Sequence, residues 1–429
     1  MLNVQLLLTG NELMSGDIVD TNSVFIAREF KNLGIELTRK VTVGDNLQLL
    51  TEQMEQLSVD ADILIINGGL GPTVDDMTAQ ALSEAANKPL ALHPTALEQV
   101  KAWCVKRSYR LTGPNMKQAL LPAGCNIVNN PIGSAPGFSL SHNNCQIICT
   151  PGVPVELKAM LRNEILPEIA KQLPEELQTV TQKLKVFGIG ESGLQKMVNE
   201  TYPNWPEEIE LGFRATMPLL EVKLTSRSHT SSTLRDEWYN KIKGLLGQHI
   251  VSENGNSIAA TVVELLNQQG KTITTAESCT GGMIAAQLTG IAGSSNVFEA
   301  GFVTYSNRMK AKLVNVNEKT LEQFGAVSEQ VVKEMVTGAL AVSDADYAVS
   351  VSGIAGPDGG TEEKPVGTVW LAWGDKQQVF AKRLYLPTHR IHFQNFIANT
   401  GLDLIRRLIL GYADEPRYFV ERQLKNKTS

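Results

Sequence analysis

The sequence predicts an α/β protein with a doubly wound α/β domain first, a small α+β domain in the middle and a second α/β domain last. Three observations lead to this prediction. In the first and last thirds, runs typical of buried strands alternate with runs of helical spacing. The middle follows the order β-α-β-β-α, and 429 residues fit two or three domains of roughly 100–200 residues each. We place the domains at residues 1–168, 169–252 and 253–415, followed by a C-terminal tail at 416–429.

Composition excludes several classes of protein. An apolar fraction of 42% and a charged fraction of 20% are ordinary for a globular protein. The net charge of −6 argues against nucleic-acid binding, which needs a basic stripe, and no apolar run approaches the length that spans a membrane. The first residues lack the charge and apolar pattern of a signal peptide. The five cysteines fit no zinc pattern, so we expect reduced thiols in a cytoplasmic protein.

The first third alternates strand-like and helix-like segments, which predicts a parallel sheet. Gly34 follows the first helical segment as a C′ glycine does. Ligands of such sheets bind at the carboxyl ends of the strands, so the loops after the strands are the candidate sites. The predicted segments are 2–8 (strand), 22–33 (helix), 35–43 (strand), 47–57 (helix) and 62–66 (strand).

The loop after the third strand, residues 67–78, is the main candidate site of this domain. Its glycines let the backbone approach an anion closely, and a threonine adds a hydroxyl donor. Two adjacent carboxylates would repel a bare phosphate, so we expect a divalent cation between them. The alternative is that Thr73 and Asp75 cap the helix that begins near Asp76. The substrate-binding candidates are Gly68, Gly69, Gly71 and Thr73, and the metal-ligand candidates are Asp75, Asp76 and, from the loop after the first strand, Glu12.

Two later turns complete a family resemblance. The specific marks of this resemblance are the 68–76 loop and the segments 130–137 (Asn-Pro-Ile-Gly-Ser-Ala-Pro-Gly) and 151–156 (Pro-Gly-Val-Pro-Val-Glu). With them, residues 3–165 resemble the molybdopterin-binding-like domain of the CinA family (competence/damage-inducible protein A). Position 11 is Asn where many relatives carry Asp or Thr, so we assign it no role. The resemblance implies metal-dependent hydrolysis of ADP-ribose to AMP and ribose 5-phosphate. A pterin- or nucleotide-binding module without turnover is the alternative.

The middle of the chain carries little functional signal. Gly188 and Gly190 precede a helix that starts near Ser192, and a tight turn explains them better than a nucleotide loop. Relatives in the CinA family have a KH-like connecting domain at this place. Since no lysine- or arginine-rich face accompanies it, nucleic-acid binding does not follow.

The sharpest chemical signal is the stretch Thr-Thr-Ala-Glu-Ser-Cys-Thr-Gly-Gly at 274–282. It follows a strand-like run and precedes an apolar helical run, so it predicts a strand, a tight turn and a helix. A hydroxyl in such a turn lies at the carboxyl edge of the sheet, beside free helix N-terminal amides that favour anions. Ser278 could therefore attack a carbonyl with backbone donors aimed at the developing charge. The alternative is that Ser278 or Thr280 only caps the helix.

Further loops of the last third follow predicted strands. The strand-like run 301–305 leads into Ser-Asn-Arg-Met-Lys-Ala-Lys at 306–312, and the strand 347–351 leads into a glycine-rich loop at 352–361. We predict a final strand at 369–373. A long glycine loop after a buried strand is a natural phosphate cradle, with a wide surface loop as the alternative.

Taken together, residues 255–412 resemble the PncC amidase domain, which deamidates nicotinamide mononucleotide. The resemblance implies that Ser278 is the nucleophile and that Lys310 and Tyr305 assist it. All six histidines lie outside these motifs, so the base would be a lysine whose pKa is lowered toward ~7–8 by burial or by nearby cations such as Arg308 and Lys312. Without the resemblance, Lys310 would be read as a solvated charge. Cys279 is a rival nucleophile, although a small buried apolar residue fits it better.

The resemblance also implies the ligands. The substrate phosphate would meet the amides of the 353–361 loop or of the 280–282 turn, and the amidase would need no cofactor. We expect small-molecule nucleotides as partners (nicotinamide mononucleotide and ADP-ribose), no nucleic acid, no membrane and a homodimer. Arg390 stays outside the predicted site because the acidic residue that relatives carry before it is His389 here. A competence or DNA-damage interaction protein is the alternative from another class. The substrate-binding candidates are Thr280, Gly281, Gly282, Gly353, Gly356, Gly359, Gly360 and Thr361.

Overall fold

The structure is a computed structural model that describes residues 2–173, 179–227 and 230–421. The chain divides into two compact units. The first comprises Met1–Val180 and Ser226–Thr230, and the second comprises Thr181–Thr225 and Ser231–Ser429. Helices and strands alternate through both, which confirms the predicted α/β class.

The first unit contains eight of the described strands and eight α-helices. Its strands are β1 (Val4–Thr9), β2 (Leu37–Val43), β3 (Ile63–Asn67), β4 (Leu90–Leu92), β5 (Leu120–Pro122), β6 (Asn126–Val128), β7 (Gly137–His142) and β8 (Cys145–Thr150). Its helices are α1 (Asn11–Ser15), α2 (Asn22–Asn32), α3 (Leu47–Asp60), α4 (Thr78–Ala85), α5 (Pro94–Lys106), α6 (Gly113–Lys117), α7 (Pro154–Met160) and α8 (Leu166–Gln172), with a π-helical turn at Leu161–Ile165.

Six of these strands form one sheet in the order β2-β1-β3-β8-β7-β6. Strands β2, β1, β3 and β8 run parallel, and β7 is antiparallel to both of its neighbours. Strands β1 and β3 are buried along their whole length because helices cover both faces of the sheet. A separate apolar core lies on each face, one around Leu7, Leu64 and Met54 and the other around Leu6, Ile65 and Phe30. This is the doubly wound arrangement that the sequence predicts.

The second unit begins with a four-stranded sheet in the order β10-β11-β9-β12. One apolar core holds this sheet to its two helices through Leu184, Val222 and Trp238. The β-α-β-β-α order predicted for the middle of the chain is present, with one short strand added. The elements are β9 (Thr179–Val186), α9 (Glu191–Thr201), β10 (Ile209–Thr216), β11 (Leu219–Arg227), α10 (Ser232–Leu246) and β12 (Ile250–Ser252).

A five-stranded sheet follows. Its strands are β13 (Ile273–Glu277), β14 (Phe298–Val303), β15 (Tyr347–Gly353), β16 (Thr368–Asp375) and β17 (Val379–Tyr385). Its helices are α11 (Ile258–Gln269), α12 (Met283–Thr289), α13 (Asn307–Val314), α14 (Glu318–Phe324), α15 (Glu329–Ser343), α16 (Arg390–Ile409) and α17 (Arg417–Glu421). Strand β17 has no counterpart in the sequence prediction, because two adjacent charged residues, Lys382 and Arg383, interrupt its short apolar segments and most of it is half-exposed or exposed.

Strand β13 lies between β14 and β15 and runs parallel to both. After β13 the chain forms β14 on one side of it and later forms β15 on the other side. The carboxyl end of β13 is therefore a topological switch point. Open α/β sheets bind ligands at such points, outside the carboxyl ends of the strands. The turn after Glu277 therefore occupies the expected place for a site.

Helices α13 and α15 cross very closely at Gly338. A methyl group on that glycine would overlap the backbone carbonyl of Val314, the last residue of α13. The Met335 and Ala339 side chains on either side of Gly338 are fully buried with Val314. Backbone contact, rather than interlocking side chains, thus sets the distance between these two helices.

Two further features bear on the predictions from composition. All five cysteines are buried and unpaired. No helix in the described part of the chain has both the length and the apolar character that crossing a membrane requires.

Candidate active site

The predicted nucleophile lies where β13 gives way to a tight turn. The Ser278 amide donates to the carbonyl of Val351 on the neighbouring strand β15, at 3.0 Å, which holds the turn against the sheet. The Ser278 side chain opens into a cavity of about 220 Å³. The cavity is lined by Ser278, Cys279, Tyr305, Lys310, Ala326, Val327, Ser352, Gly353, Ala355 and Arg390. The structure thus brings together the three residues predicted to be catalytic.

Lys310 approaches Ser278 from helix α13. Its Nζ donates to the Ser278 Oγ at 3.0 Å and to the Thr304 carbonyl at 2.8 Å. The Ser306 side chain caps α13 by accepting from the Met309 amide, which places Lys310 one turn into the helix. Only 1% of the residue is exposed. A hydroxyl and an amine at this distance make a nucleophile and base pair without an imidazole.

Burial lowers the pKa of Lys310 from 10.5 to about 8. A buried ammonium loses its hydration, and no carboxylate in the described residues forms an ion pair with it. The prediction named Arg308 and Lys312 as contributing cations, and that part is wrong, because both side chains are exposed and neither influences the pKa of Lys310. Lys310 is therefore neutral in about half of the molecules near pH 8.

Tyr305 and Arg390 form the mouth of the cavity. Tyr305 is 61% exposed, and its hydroxyl accepts a hydrogen bond from Arg390 at 3.0 Å. The same guanidinium donates to the Gly356 carbonyl at 2.9 Å. The sequence prediction excluded Arg390 because the preceding residue, His389, differs from the acidic residue that relatives carry there. The available signal was the position of Arg390 at the first turn of a long helix, after the last strand of the sheet.

The turn after the nucleophile differs from the prediction in one respect. Glu277 is completely buried, and its carboxylate accepts from the Thr280 hydroxyl at 2.7 Å and from the amides of Gly282, Ile284 and Ala285 at 3.2, 3.0 and 2.8 Å. The Gly281 amide bonds the Ser278 carbonyl. Of the three amides that were expected to meet a substrate phosphate, those of Gly281 and Gly282 are therefore already occupied, as is the Thr280 hydroxyl.

Glu277 is the residue that sequence reasoning missed. Its role depends on the chain turning back so that the start of α12 faces the end of β13. An acidic residue that ends a buried strand just before a glycine-rich helix start was the available signal, since carboxylates stabilise helix N-termini.

Few residues of the predicted glycine cradle reach the cavity. Gly353 lines it, but Gly356, Gly359, Gly360 and Thr361 do not. Thr361 instead closes its own loop, with its amide donating to the Lys364 carbonyl and its hydroxyl accepting from the Lys364 amide. The rival nucleophile Cys279 is buried, and burial raises the pKa of its thiol to about 12. A thiol with that pKa stays protonated and is a poor nucleophile.

The first unit gathers polar residues at the carboxyl ends of β1, β3 and β8. The Thr9 hydroxyl donates to Asp45 at 2.8 Å, and the Asn67 side chain donates to Thr150 at 3.1 Å and to the Pro151 carbonyl at 2.7 Å. Asn22 donates to Asn67 at 2.9 Å. The loops that the sequence singled out thus meet at one edge of the sheet.

The glycine loop of this unit has the backbone that the sequence predicts. Gly68 and Gly69 have φ angles of 117° and 64°, which only glycine adopts readily. The hypothetical side chain of a non-glycine residue at Gly71 would overlap the carboxylate of Asp76. The loop is held from the far side by Lys117, whose ammonium donates to the carbonyls of Thr73 and Asp76.

The three predicted metal ligands do not form a ligand set in this structure. Asp76 accepts from the amide of Thr73 at 2.9 Å and from its hydroxyl, Glu12 lies against Gly10, and Asp75 is exposed. No three His, Cys, Asp or Glu side chains among the described residues are grouped so that they could hold a metal ion. Because the residues as arranged do not fit a metal, we derive no step through one.

Comparisons with known proteins agree on both parts of the chain. Residues 5–171 match the family model described as "Probable molybdopterin binding domain", and residues 255–409 match "CinA C-terminal domain". A "CinA-like protein" of Colwellia psychrerythraea is 53% identical over 422 residues, covering 98% of each chain. One of Shewanella denitrificans is 40% identical over 413 residues, covering 96% of this chain and 97% of that protein. A solved competence/damage inducible protein from Agrobacterium tumefaciens is 43% identical, covers 35% of this chain and 93% of its own, and has a TM-score of 0.35.

Proposed function

Since the chain belongs to the CinA family, we propose that its C-terminal domain hydrolyses the carboxamide of nicotinamide mononucleotide to nicotinic acid mononucleotide and ammonia. The single observation that carries this proposal is the 3.0 Å contact between the buried Lys310 amine and the Ser278 hydroxyl. A neutral amine in this position can take the hydroxyl proton, which turns an ordinary serine into a nucleophile for acyl transfer.

The reaction follows from this pair in two halves. Lys310 accepts the Ser278 proton while Oγ forms a bond to the carboxamide carbon. The carboxamide nitrogen of the tetrahedral intermediate then takes the proton from the Lys310 ammonium as the C–N bond breaks, so ammonia leaves and a serine ester remains. Lys310 next accepts a proton from water, whose oxygen attacks the ester. The acid leaves as Ser278 regains its proton, so the lysine begins and ends neutral.

Tyr305 and Arg390 supply the binding end of the site in this proposal. Arg390 holds the Tyr305 hydroxyl and the Gly356 carbonyl at the mouth of the cavity. A guanidinium retains charge and spare donors beside these contacts, and arginine binds phosphate well. The nucleotide phosphate would therefore lie near Arg390, since the Gly281 and Gly282 amides already bond the Ser278 carbonyl and the Glu277 carboxylate.

The test is ammonia release from nicotinamide mononucleotide, compared with free nicotinamide, between pH 6 and 10. We expect release from the mononucleotide, with kcat/KM rising through an apparent pKa of about 8 as Lys310 loses its proton. Free nicotinamide should be a much poorer substrate because it lacks the phosphate. Absence of ammonia release from the mononucleotide, or a rate that is flat between pH 7 and 9, would contradict the proposal.

For the N-terminal domain we infer metal-dependent hydrolysis of ADP-ribose to AMP and ribose 5-phosphate. The inference is supported by the loops gathered at the carboxyl ends of β1, β3 and β8 and by the positive φ angles of Gly68 and Gly69, a backbone that lets an anion approach closely. The candidate metal ligands Asp75, Asp76 and Glu12 would have to move together when a cation binds.

The experiment incubates the full chain with ADP-ribose, with Mg²⁺ or Mn²⁺ added or removed by chelator, and measures AMP. We expect AMP only with metal. We also expect at least about a 10-fold loss in an Asp76→Asn protein, since Asp76 accepts from the Thr73 amide and hydroxyl and so orients the glycine loop, and losing such an orienting partner costs activity on this scale. An exchange of Glu84, on the far end of α4, for Gln serves as the control. Binding of ADP-ribose without AMP formation would identify a binding module instead.

A further inference from the structure

The peptide that joins Cys279 to Thr280 is held from one side by helix α16. The Gln394 side-chain amide on that helix donates to the Cys279 carbonyl at 2.8 Å. In a trans peptide, which this one is, the carbonyl and the following N–H point in opposite directions. Gln394 therefore sets the direction of the Thr280 N–H, although it does not line the cavity itself.

The same peptide is held from its other side by Glu277. The buried carboxylate accepts the Thr280 hydroxyl and three amides of the first turn of α12. It thereby fixes Thr280 to the beginning of the helix and occupies the place that an anionic ligand of α12 would take. Glu277, two residues before Cys279, and Gln394, 115 residues after it, thus hold one peptide beside the nucleophile.

The backbone amides at this turn divide into two groups. Those of Gly281, Gly282, Ile284 and Ala285 are hydrogen-bonded. The Cys279 amide contacts only the thiol of its own residue, which is a weak acceptor, and the Thr280 amide has no acceptor in the described ranges, although both residues are nearly fully buried. A buried donor without a partner costs about 1–3 kcal/mol. Two such donors directly after a nucleophile indicate an acceptor that comes with the substrate.

Resting on the proposed function, we propose that Gln394 and Glu277 are positioning residues that hold the Cys279 and Thr280 amides as an oxyanion hole for Ser278. When the Ser278 oxygen bonds to the carbonyl carbon, the carbonyl π pair moves onto oxygen. The two amides stabilise that negative charge, and they release it when the C–N or C–O bond to the leaving group breaks. Preorganised donors of this kind act most strongly in the transition state.

The test replaces Gln394 with Met, which keeps the length of the side chain and removes the donor. Two reactions are followed: ammonia release from nicotinamide mononucleotide, and acetylation of Ser278 by p-nitrophenyl acetate, located by mass spectrometry. We expect a fall of about 10-fold to 100-fold in kcat for both reactions, less than the loss of a direct donor. KM and the pH midpoint of the rate should stay unchanged, because Lys310 is untouched.

Asn395→Leu on the same helix is the matched control, since the Asn395 side chain donates only to the Ile391 carbonyl of α16. Its rates should equal those of the unaltered chain. Glu277→Gln should slow both reactions as well. If that protein does not fold, the Gln394 and Asn395 pair decides the question alone.

The reaction with p-nitrophenyl acetate allows the oxyanion hole to be tested independently of the proposed amidase activity. An unaltered chain that is acetylated at Ser278 but releases no ammonia overturns the amidase, while the Gln394→Met comparison on the ester still tests the oxyanion hole. A full rate in Gln394→Met, a shifted pH midpoint, or an unaltered chain whose Ser278 is not acetylated would each overturn the inference.

Discussion

The Ser278→Ala protein should release ammonia from nicotinamide mononucleotide at least about 10³-fold more slowly than the unaltered chain, since removing a nucleophile removes the acyl-enzyme route entirely. The fold should be unaffected, because the Ser278 contact with the sheet is made by its backbone amide. Steady-state ammonia assays and the melting temperature of both proteins measure the two effects separately.

Cys279→Ala is the control for this experiment. The thiol is buried with a pKa raised to about 12, so we expect the alanine protein to keep most of its ammonia release. Mass spectrometry of reactions stopped early should find the acyl adduct on the peptide that contains Ser278. Retention of most activity in Ser278→Ala, or its loss in Cys279→Ala with Ser278 unmodified, would refute the assignment of the nucleophile.

The Lys310→Met protein should lose ammonia release by about 10³-fold or more, and it should gain stability relative to the unaltered chain near neutral pH. The reason for the gain is that the folded chain holds Lys310 at a pKa of about 8, whereas the unfolded chain holds it near 10.5. Below pH 8 the lysine is charged in both states, and folding must bury that charge. Methionine has a similar volume and no charge to bury.

The sign of this effect can be measured by urea unfolding across pH. Between pH 8 and 10.5 the unfolded chain binds more protons than the folded chain, so the stability of the unaltered protein rises with pH. The stability difference between Lys310→Met and the unaltered chain should therefore shrink by about 2–3 kcal/mol from pH 7 to pH 10. Lys312→Met, at an exposed position on the same helix, should show no such trend. A difference that is constant with pH would mean that the pKa of Lys310 is not lowered.

Much of the site follows from local patterns in the sequence. The strand, turn and helix around Ser278 are set by neighbours within ten residues, and alternation of apolar runs predicts the sheet that orients them. Lys310 lies at the start of the helix that follows the adjacent strand, and adjacent parallel strands deliver the segments that follow them to one edge of the sheet. These parts depend on short-range pattern and on one rule of topology.

The remaining parts depend on tertiary packing that no local pattern encodes. Lys310 owes its lowered pKa to burial, whereas its own segment, read without the family resemblance, indicates only a solvated charge just past the end of a strand. Glu277 acts through a helix start that faces it only after folding. Arg390 and Gln394 come from a helix more than a hundred residues after the nucleophile. The two extra strands β12 and β17 contain only short apolar segments, of two and three residues at most. Each of these residues gains its function from partners distant in sequence.

The close crossing at Gly338 has a consequence for how the base is delivered. Helix α13 ends against α15 at that glycine, so the helix that carries Lys310 rests on bare main chain rather than on a flexible side chain that could rearrange. Any larger residue at position 338 would act as a wedge, tilting the far end of the helix and withdrawing the amine from the hydroxyl. The absence of a side chain at Gly338 thus maintains the contact between Lys310 and Ser278 at the other end of the helix.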